Sequence, residues 1–563
     1  MRQSPWIGVL AFLLGSVCLA RENAPTTDNF YRRVNPRATV FGNYLYVDGG
    51  EVAEKGNPSN WPSNPVNATL ALDLSKSWTP KDAEFIETEK PDSVSPLWKN
   101  AVFHDDAKKT FYIWGGRIFR TPWGVPPPVK VWKFVADDKG GGAWSTEDDN
   151  HSFDDLIRSE DGAYVSTEDA GFWIGGSAFP ETHTDADSDI PGVVSYNFTT
   201  KEWKNHTEAP FSDDGTVNAA TATYMPSFGP NGLIMLLGGL EHTIPKATNH
   251  LSFETVHFFD PVTMKWYKQP TTGSKPQKRN HHCSVGVQGN GTYEIFIYGG
   301  WNQDYEKILD DMYVLTIPGF NWAKVDFDKD PRTEFDCVVA GNRQMVTVGG
   351  AGVYGGWTVK DSYPKGLGIF DLTELKWKDE FTPDAPAYKT PSLVQNWYDQ
   401  GGLDRVEWSD DVKALFAKKD PSSTTSSASP GATSTSGSTT DQTNQDLDKV
   451  SSESKPNYTG AIAGGVVGGL AGLALIGALI FFVLRWRNGK RGDGEPVEVE
   501  QPSEIDGRSV AGSGWSPGMM PPPPRFPTAS SGTPDSSGSR STPGHAHLPS
   551  ELSSEGERRA ELA

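Results

Sequence analysis

The chain has 563 residues, which is too long for one ordinary domain and leaves room for a large domain with appended segments. Lysine and arginine number 51 against 72 aspartates and glutamates, so the net charge of −21 argues against a nucleic-acid-binding protein. Three cysteines are too few for a disulfide-rich scaffold or a cysteine-based zinc cluster, whereas 59 glycines and 19 tryptophans favour an all-β protein with many turns.

The first element is a short apolar run that follows Arg2. It extends from Trp6 to Leu19, and Ala20 offers a small residue at a plausible cleavage point. The run is shorter than the ~20 residues that cross a bilayer. Residues 1–20 are therefore predicted to be a signal peptide, removed together with Cys18, and an uncleaved anchor is the alternative.

A glycine doublet then recurs between residues 30 and 385, each time at the end of a short apolar stretch typical of a strand. The doublets are Gly49/Gly50, Gly115/Gly116, Gly175/Gly176, Gly238/Gly239, Gly299/Gly300 and Gly349/Gly350. A tryptophan follows the first glycine after 28 or 29 residues in five copies and after 23 in one: Trp78, Trp144, Trp203, Trp266, Trp377 and, at the shorter distance, Trp322. Four strands per repeat at this period predict the blades of a β-propeller.

The doublets and the tryptophans have different predicted roles. Two residues without side chains permit close backbone approach and unusual dihedral angles near a crowded axis. A tryptophan far out on the blade supplies a large apolar surface between neighbouring sheets. In three repeats an aromatic residue and an Asn or Asp precede the tryptophan by seven and six residues, which marks two strands joined by a turn: Tyr196/Asn197, Phe259/Asp260 and Phe370/Asp371.

In this order of glycine pair, aromatic residue and tryptophan, the chain resembles the kelch family. The resemblance covers residues 30–385 and implies an all-β fold, a six-bladed kelch-type β-propeller. Two repeats depart from the pattern, because the second lacks the aromatic residue before Trp144 and the fifth is shorter than the others. With its flanking segments the whole chain is similar to fungal single-pass membrane kelch-repeat proteins, a likeness that implies shape and not activity.

The extra length of each repeat is expected between its second and third strands, and such loops emerge together on one face of a propeller. Loops on a rigid scaffold are where binding sites usually lie. We therefore predict a binding face with these aromatic residues: Trp61, Phe119, Trp123, Phe179, Trp301, Tyr305, Tyr354 and Trp357. They would suit stacking on sugar rings or anchoring a protein partner, although they would equally serve to pin long loops onto the blades.

One loop of the third repeat is rich in acidic residues. The residues are Glu181, Asp185, Asp187 and Asp189. Alternating carboxylates could bind calcium, but the glycine and the terminal glutamate of an EF-hand loop are missing. We therefore interpret the segment as a solvated acidic loop.

A second cluster contains His281, His282 and Cys283. A copper oxidase similar to galactose oxidase would need two histidine ligands and a cysteine crosslinked to a tyrosine. Cys283 and Cys337, however, occupy matching positions in the first strands of two repeats, which indicates packing between repeats. They could also form a disulfide if their Cα atoms lie within ~7 Å. We predict no catalytic, cofactor or metal site.

Residues 386–419 are expected to cap the propeller. A short helix could begin at Ser409, and its apolar residues would pack on the propeller rim: Val412, Leu415 and Phe416. The following segment, 420–458, is rich in Ser and Thr with Gly, Ala and Pro. This composition cannot bury a core and predicts an O-glycosylated stalk.

Residues 459–484 are predicted to form a transmembrane helix, because Ala461 to Leu484 contains no charged side chain. Arg485 and Arg487 follow at once, and the positive-inside bias places the C-terminus in the cytoplasm. We therefore expect a single-pass type I protein of the cell membrane, with the propeller extracellular or lumenal. Residues 485–563 are expected to be a disordered cytoplasmic tail.

Two further patterns accompany the predicted span. Glycosylation sequons occur on its N-terminal side only, at Asn67, Asn150, Asn197, Asn205, Asn290 and Asn457. Within the span a glycine recurs every fourth residue: Gly460, Gly464, Gly468 and Gly472. Such a stripe lets two helices pack closely and predicts a homodimer through the membrane, although glycine is common in membrane helices anyway.

These patterns predict a non-enzymatic cell-surface protein without a cofactor, which presents its propeller to an extracellular protein or glycan. One alternative is a carbohydrate-active or copper-dependent, galactose-oxidase-like enzyme. Another is a structural protein associated with the cell wall.

Overall fold

The computed structural model describes residues 24–55, 63–118, 126–147, 152–183, 186–243, 248–327, 329–352 and 359–416. All of them belong to the first of the two units into which the chain divides, Met1–Pro430. The predicted signal peptide, stalk, transmembrane helix, glycine stripe and tail lie outside the described residues. No helix within the described ranges is both long enough and apolar enough to cross a membrane.

The strands form six main antiparallel sheets, called blades I to VI in chain order, after a leading strand β1 (Phe30–Val34). Blade I contains β2 (Arg37–Phe41), β3 (Tyr44–Asp48), β6 (Ala68–Asp73) and β7 (Phe85–Glu89), with β4 (Glu51–Glu54) and β5 (Ser63–Pro65) inserted. Blade II follows β8 (Leu97–Trp98) and contains β9 (Ala101–Asp105), β10 (Thr110–Trp114), β12 (Val131–Ala136) and β13 (Gly142–Glu147), with β11 (Arg117–Ile118) inserted.

The next two blades are built in the same way. Blade III contains β14 (Ala163–Ser166), β15 (Ala170–Ile174), β18 (Val193–Asn197) and β19 (Trp203–His206), with β16 (Ser177–Ala178) and β17 (Ser188–Asp189) inserted. Blade IV contains β20 (Thr221–Met225), β21 (Leu233–Leu237), β24 (Thr255–Phe259) and β25 (Trp266–Pro270), with β22 (Leu240–His242) and β23 (Thr248–His250) inserted.

The last two blades complete the ring. Blade V contains β27 (Cys283–Gln288), β28 (Tyr293–Tyr298), β31 (Met312–Ile317) and β32 (Asn321–Val325), with β29 (Trp301–Asn302) and β30 (Lys307–Ile308) inserted. A short strand, β26 (Thr272–Gly273), joins β32 in parallel. Blade VI contains β33 (Thr333–Ala340), β34 (Gln344–Ala351), β35 (Leu367–Asp371) and β36 (Lys376–Lys378).

The first strands of the blades surround a central channel. Each contacts the next in the order β2, β9, β14, β20, β27, β33, and β33 contacts β2. The ring is therefore closed, which confirms the sequence prediction of a six-bladed propeller.

Each interface between neighbouring blades has its own buried apolar cluster. In β28, Ile295 and Ile297 belong to the cluster shared with blade IV, whereas Phe296 and Tyr298 belong to the cluster shared with blade VI. This follows from the geometry of a strand, in which successive side chains point to opposite faces. A blade is thus apolar on both faces because it packs between two others.

The glycine doublets link each blade to the next. Gly299 and Gly300 have φ values of 65° and 102°. The Gly300 amide donates to the carbonyl of Arg332 at 2.8 Å, and a Cβ on Gly299 would lie 2.2 Å from that oxygen. Positive φ and close backbone contact together exclude any side chain, as the sequence predicted.

Five of the six repeated tryptophans lie on fourth strands, but Trp78 does not. It lies between β6 and β7, because the fourth strand of blade I begins only at Phe85. Trp78 instead forms a β-bridge to Phe381, and the two rings stack with centroids 5.2 Å apart. Trp78 therefore does not lie on the fourth strand of its blade, but it still supplies apolar surface between neighbouring sheets, because it belongs to the cluster shared by blades I and VI.

The segment after blade VI contains an α-helix, α1 (Ser392–Asp399), and two short 3-10 helices, Gly402–Arg405 and Lys413–Phe416. The helix that the sequence placed from Ser409 therefore begins at Lys413 and is of the 3-10 type. Val412 and Phe416 are buried in the cluster between blades IV and V, and Leu415 packs beside them. α1 was not predicted, although Leu393, Val394, Trp397 and Tyr398 have the spacing of one face of a helix, and Val394 is its one buried residue.

Candidate functional site

The insertions between second and third strands emerge at one end of the channel, because each begins at a doublet beside the axis. They form small sheets there: β1–β4–β5, β8–β11, β16–β17, β22–β23 and β29–β30. We call this end of the propeller the loop face. It is the face on which the sequence predicted binding.

The described part of the loop face carries three of the predicted aromatic residues. Phe179 and Trp301 are half-buried, and the backbone of Trp301 is bridged to Asn280. Tyr305 lies in the turn of the β29–β30 hairpin and is 71% exposed. The other five lie outside the described residues: Trp61, Phe119, Trp123, Tyr354 and Trp357. Of the three, Tyr305 alone offers most of its surface to a partner.

A ring of residues surrounds the channel where the first strands begin, and we call it the channel girdle. Five of its members stand two residues before the first strand of their blade, and Glu334 is the second residue of β33. All its members have positive φ, although none is glycine: Asn35, Lys99, Asp161, Ala219, His281 and Glu334. Backbone hydrogen bonds join successive members: Asn35 N to Glu334 O (2.9 Å), Glu334 N to His281 O (3.2 Å), His281 N to Ala219 O (2.9 Å), Ala219 N to Asp161 O (2.5 Å) and Asp161 N to Lys99 O (3.2 Å). The surrounding blades thus hold a backbone conformation that is costly for isolated residues.

The girdle was not predicted as a group from the sequence. Asn, Asp and His tolerate the left-handed region better than most residues, so Asn35, Asp161 and His281 carried a weak signal. Lys99 and Ala219 carried none, because their conformation is imposed by contacts between blades that are far apart in sequence.

Charged side chains on one side of the girdle pair with one another. Lys99 contacts Asp161 and lies 3.7 Å from Glu160, whose other oxygen is 2.9 Å from Arg117 Nε. His281 Nε2 lies 3.5 Å from Asp161 Oδ2. Burial alone would lower the pKa of Lys99, but Asp161 and Glu160 raise it to about 12. Burial opposes ionisation of Asp161, yet Lys99 and His281 hold its pKa below the usual range. Lys99 and Asp161 therefore stay charged at neutral pH, whereas burial raises the pKa of Glu160.

Below the girdle a hydrogen bond crosses the channel between opposite blades. Tyr164 of blade III donates its hydroxyl to Asp336 Oδ2 of blade VI at 2.6 Å. Asp336 also accepts from the amides of Ala38 at 2.8 Å and Cys337 at 2.9 Å, and the Arg37 guanidinium lies 5.1 Å from the Tyr164 ring centre. Burial raises the pKa of Asp336, and burial and Asp336 together raise that of Tyr164. Tyr164 therefore remains a neutral donor.

The channel encloses a cavity of about 200 Å³, lined by residues of all six blades. Pockets that hold drug-sized molecules measure about 300–1,000 Å³. The cavity is therefore too small for a macromolecular ligand, and contact with such a partner would take place on the outer surface of the propeller.

The acidic loop of blade III has a structural role at Asp189. This carboxylate accepts from Ser177 Oγ at 2.7 Å, Asn218 Nδ2 at 3.0 Å and Thr243 N at 2.8 Å. It thereby ties the insertion of blade III to that of blade IV. Glu181 is buried, Asp187 is exposed and Asp185 lies outside the described residues, so the expectation of a uniformly solvated loop is wrong for Asp189 and Glu181.

The two cysteines of the propeller form a disulfide, with Cα atoms 5.8 Å apart. Cys283 and Cys337 lie on β27 and β33, so the bond joins the first strands of blades V and VI. Neither thiol is free to form the tyrosine crosslink of a galactose-oxidase-like site. Within the described ranges no three His, Cys, Asp or Glu side chains are grouped as metal ligands would be.

A repeated arginine is a feature that the sequence analysis missed. Arg33, Arg279 and Arg332 each donate to the carbonyl of the first glycine of their own blade's doublet. Two of them are also paired with a carboxylate, since Arg279 lies 2.7 Å from Asp311 and Arg332 lies 2.6 Å from Asp361. The sequence carried a signal, because each arginine stands two residues before a girdle residue.

Comparison with known proteins gives concordant matches. The family model described as "KLHDC2/KLHL20/DRC7 Kelch-repeats domain" matches residues 158–350 and 220–415. A "Kelch repeat-containing protein" of Arthroderma benhamiae is 27% identical over 411 residues, which are 64% of this chain and 58% of that protein. "Kelch domain-containing protein 3" of Homo sapiens and of Mus musculus is 25% identical over 170 residues, 29% of this chain and 41% of each relative. The matches thus span less than two thirds of these relatives.

Proposed function

Because the chain is a kelch-repeat β-propeller protein, we propose that it is a non-catalytic interaction protein that binds a protein partner on its loop face. The observation that carries this proposal is a difference between the two faces of the propeller. One is covered by residues 379–416, and among the described residues no part of the C-terminal segment covers the other.

The covered face is formed by the turns between first and second strands and between third and fourth strands. Residues 379–416 cross these turns over three blades. The anchoring hydrogen bonds are Gln344 Nε2 to Thr382 O at 2.7 Å on blade VI, Gly319 N to Tyr398 Oη at 3.2 Å on blade V, and Gly229 N to Leu415 O at 2.9 Å on blade IV. A partner would have to displace this segment to reach that part of the face.

The loop face, in contrast, presents Tyr305 in a hairpin that β29 and β30 hold in place. Aromatic side chains with a polar tip are enriched in the energetically important parts of interfaces. Val262 provides a matched control, because it is also 71% exposed but lies in a turn of the opposite face, between β24 and β25.

We further propose that the propeller faces the extracellular or lumenal side of a membrane, attached through the predicted span 459–484. The disulfide between Cys283 and Cys337 supports this location, because such bonds persist in oxidising compartments. Exposure of the sequon residues Asn67, Asn205 and Asn290 is a second supporting observation.

The proposal can be tested by photo-crosslinking on the full-length chain in intact cells. A photoreactive phenylalanine analogue replaces Tyr305 in one variant and Val262 in the other. We expect a discrete crosslinked polypeptide, identified by mass spectrometry, from position 305 and none from position 262. An array of glycans and wall polymers is probed in parallel with the purified chain.

Three outcomes would contradict the proposal. Equal crosslinking at both positions would mean that the loop face is not selective. Binding to the glycan array without a polypeptide crosslink would favour a glycan partner. Stoichiometric copper on the purified full-length chain would favour the enzymatic alternative.

A further inference from the structure

The asparagines of the predicted sequons have different surroundings. Asn197 Oδ1 accepts from the amides of Thr199 and Thr200 at 2.9 and 2.8 Å, which shapes the turn between β18 and β19. Asp260 forms the same turn in blade IV, where it accepts from Val262 and Thr263. Asn197 thus occupies a position that shapes the same turn in blade IV. Asn67, Asn205 and Asn290 are exposed, and Asn150 lies outside the described residues.

Asn205 is an exposed sequon asparagine that lines a groove. The groove runs along the outer edge of blades III and IV and has a volume of about 690 Å³. Residues 205–208 and Pro210 form one wall, and residues 263–266 form the other. This volume lies within the range of about 300–1,000 Å³ that is typical of pockets for small organic ligands.

The walls of the groove have the chemistry of a sugar-binding surface. Trp266 is half-buried, and its orientation is fixed because Nε1 donates to Glu208 O at 3.1 Å. Phe211 and Phe259 pack against the indole, with centroids 5.1 and 4.5 Å away. Thr207 and Thr263 add hydroxyl groups that donate and accept hydrogen bonds. An amphipathic sugar ring needs an apolar surface and polar groups of this kind.

We propose that an N-linked glycan on Asn205 lies in this groove and contacts both blades III and IV. The inference rests on the proposed extracellular or lumenal location, because sequons are modified only there. It goes further because it assigns a binding groove to the glycan on Asn205 and no such groove to the glycan on Asn67. The glycan on Asn205 then covers the outer edge of the propeller and leaves the loop face open.

The test compares two glycans on the same molecule. The full-length chain is purified from a secretory expression host, and peptide N-glycosidase is added to the native protein. Glycopeptide mass spectrometry follows release at Asn205 and Asn67 over time. We expect release from Asn205 to be about tenfold slower, a protection that requires about 1.4 kcal/mol of contact free energy. After denaturation the two rates should be equal.

A second measurement shows whether the glycan stabilises the fold. Thr207→Ala removes the sequon but keeps Asn205, and Asn67→Gln is the matched control. We expect Thr207→Ala to lower the unfolding temperature of the glycosylated full-length chain, and Asn67→Gln to leave it unchanged. The same Thr207→Ala protein made without glycosylation should unfold at the same temperature as its unglycosylated parent, which separates loss of the glycan from loss of the threonine.

Failure of the inference differs from failure of the proposed location. If Asn67 is modified and Asn205 is bare, or if both glycans are released at the same native rate, the groove holds no glycan. If neither asparagine is modified, the proposed location is wrong and the inference falls with it.

Discussion

Blade VI has two neighbours, and it is joined to them in different ways. Its interface with blade V contains the Cys283–Cys337 disulfide, and the chain runs directly from one blade into the other. Its interface with blade I closes the ring between segments that are far apart in the chain. Among the described strands no main sheet combines residues from both ends of the propeller.

Closure therefore depends on side chains and a few hydrogen bonds. The amide of Ala38 donates to Asp336, and Trp78 stacks on Phe381. Because the closed loop is very long, its conformational entropy opposes closure, and packing must offset that cost. The ring should therefore open first at the interface between blades VI and I, because no covalent link joins the two blades there.

The largest expected effect comes from filling a doublet position at the closure. A Cβ at Gly349, whose φ is 72°, would lie 2.6 Å from the carbonyl of Arg33 and 2.7 Å from Pro36. We expect Gly349→Ala to lower the free energy of unfolding by about 4 kcal/mol or more, measured by thermal and chemical denaturation of the full-length chain. Gly42→Ala is the control, since Gly42 also has positive φ but nothing within 4 Å of a Cβ, and should cost about 1–2 kcal/mol. Equal losses would refute the steric argument.

The next effect concerns the aromatic stack at the same interface. Trp78→Ala should lower the free energy of unfolding by about 3–4 kcal/mol, because it leaves a cavity beside Phe381. Trp144→Ala, on the half-exposed fourth strand of blade II, should cost less. A double-mutant cycle with Phe381→Ala measures the coupling directly. If the losses of unfolding free energy in the two single variants simply add up in the double variant, the stack does not stabilise the interface between blades VI and I.

The closure also shows what the sequence could and could not reveal. The doublets and tryptophans predicted the blades because their spacing is fixed inside each repeat. The position of Trp78 could not be predicted, because it depends on Phe381 at the other end of the propeller. Pairing of Cys283 with Cys337 stayed open for the same reason, since only the ring brings β27 and β33 side by side.

At the candidate site, too, features set within one repeat could be predicted, and features set by contacts between blades could not. Tyr305 could be placed on the loop face because its position after Gly299 and Gly300 is a local feature. The girdle could not be found, because the conformation of Lys99 or Ala219 is set by a hydrogen bond to the neighbouring blade.

The third prediction removes the covalent link between blades V and VI. The double variant Cys283→Ser and Cys337→Ser should lose about 2–4 kcal/mol of unfolding free energy, because the unfolded chain is no longer constrained. Dithiothreitol should destabilise the parent protein by a similar amount and leave the variant unchanged. If the reductant affected both proteins equally, the disulfide would not be the cause.

The smallest expected effect tests whether the C-terminal segment stabilises blade V in addition to the disulfide. Glu294, at the start of β28, is fully buried and accepts from Tyr388 Oη of the C-terminal segment at 3.0 Å. Burial raises its pKa above the ordinary glutamate value, so the folded state favours the protonated form. The stability that this group contributes is present below the unfolded-state pKa and is lost as pH rises through the higher folded-state pKa.

Glu294→Gln should therefore stabilise the protein at neutral pH by about 1 kcal/mol, because the buried charge is removed while a carbonyl acceptor for Tyr388 remains. At a pH below the glutamate range the variant and the parent should unfold at the same temperature. Tyr388→Phe controls for the hydrogen bond and should destabilise the protein at both pH values. A variant less stable than the parent at neutral pH would mean that the cap is held by the ionised carboxylate, and blade V would then depend on the disulfide and this charge together.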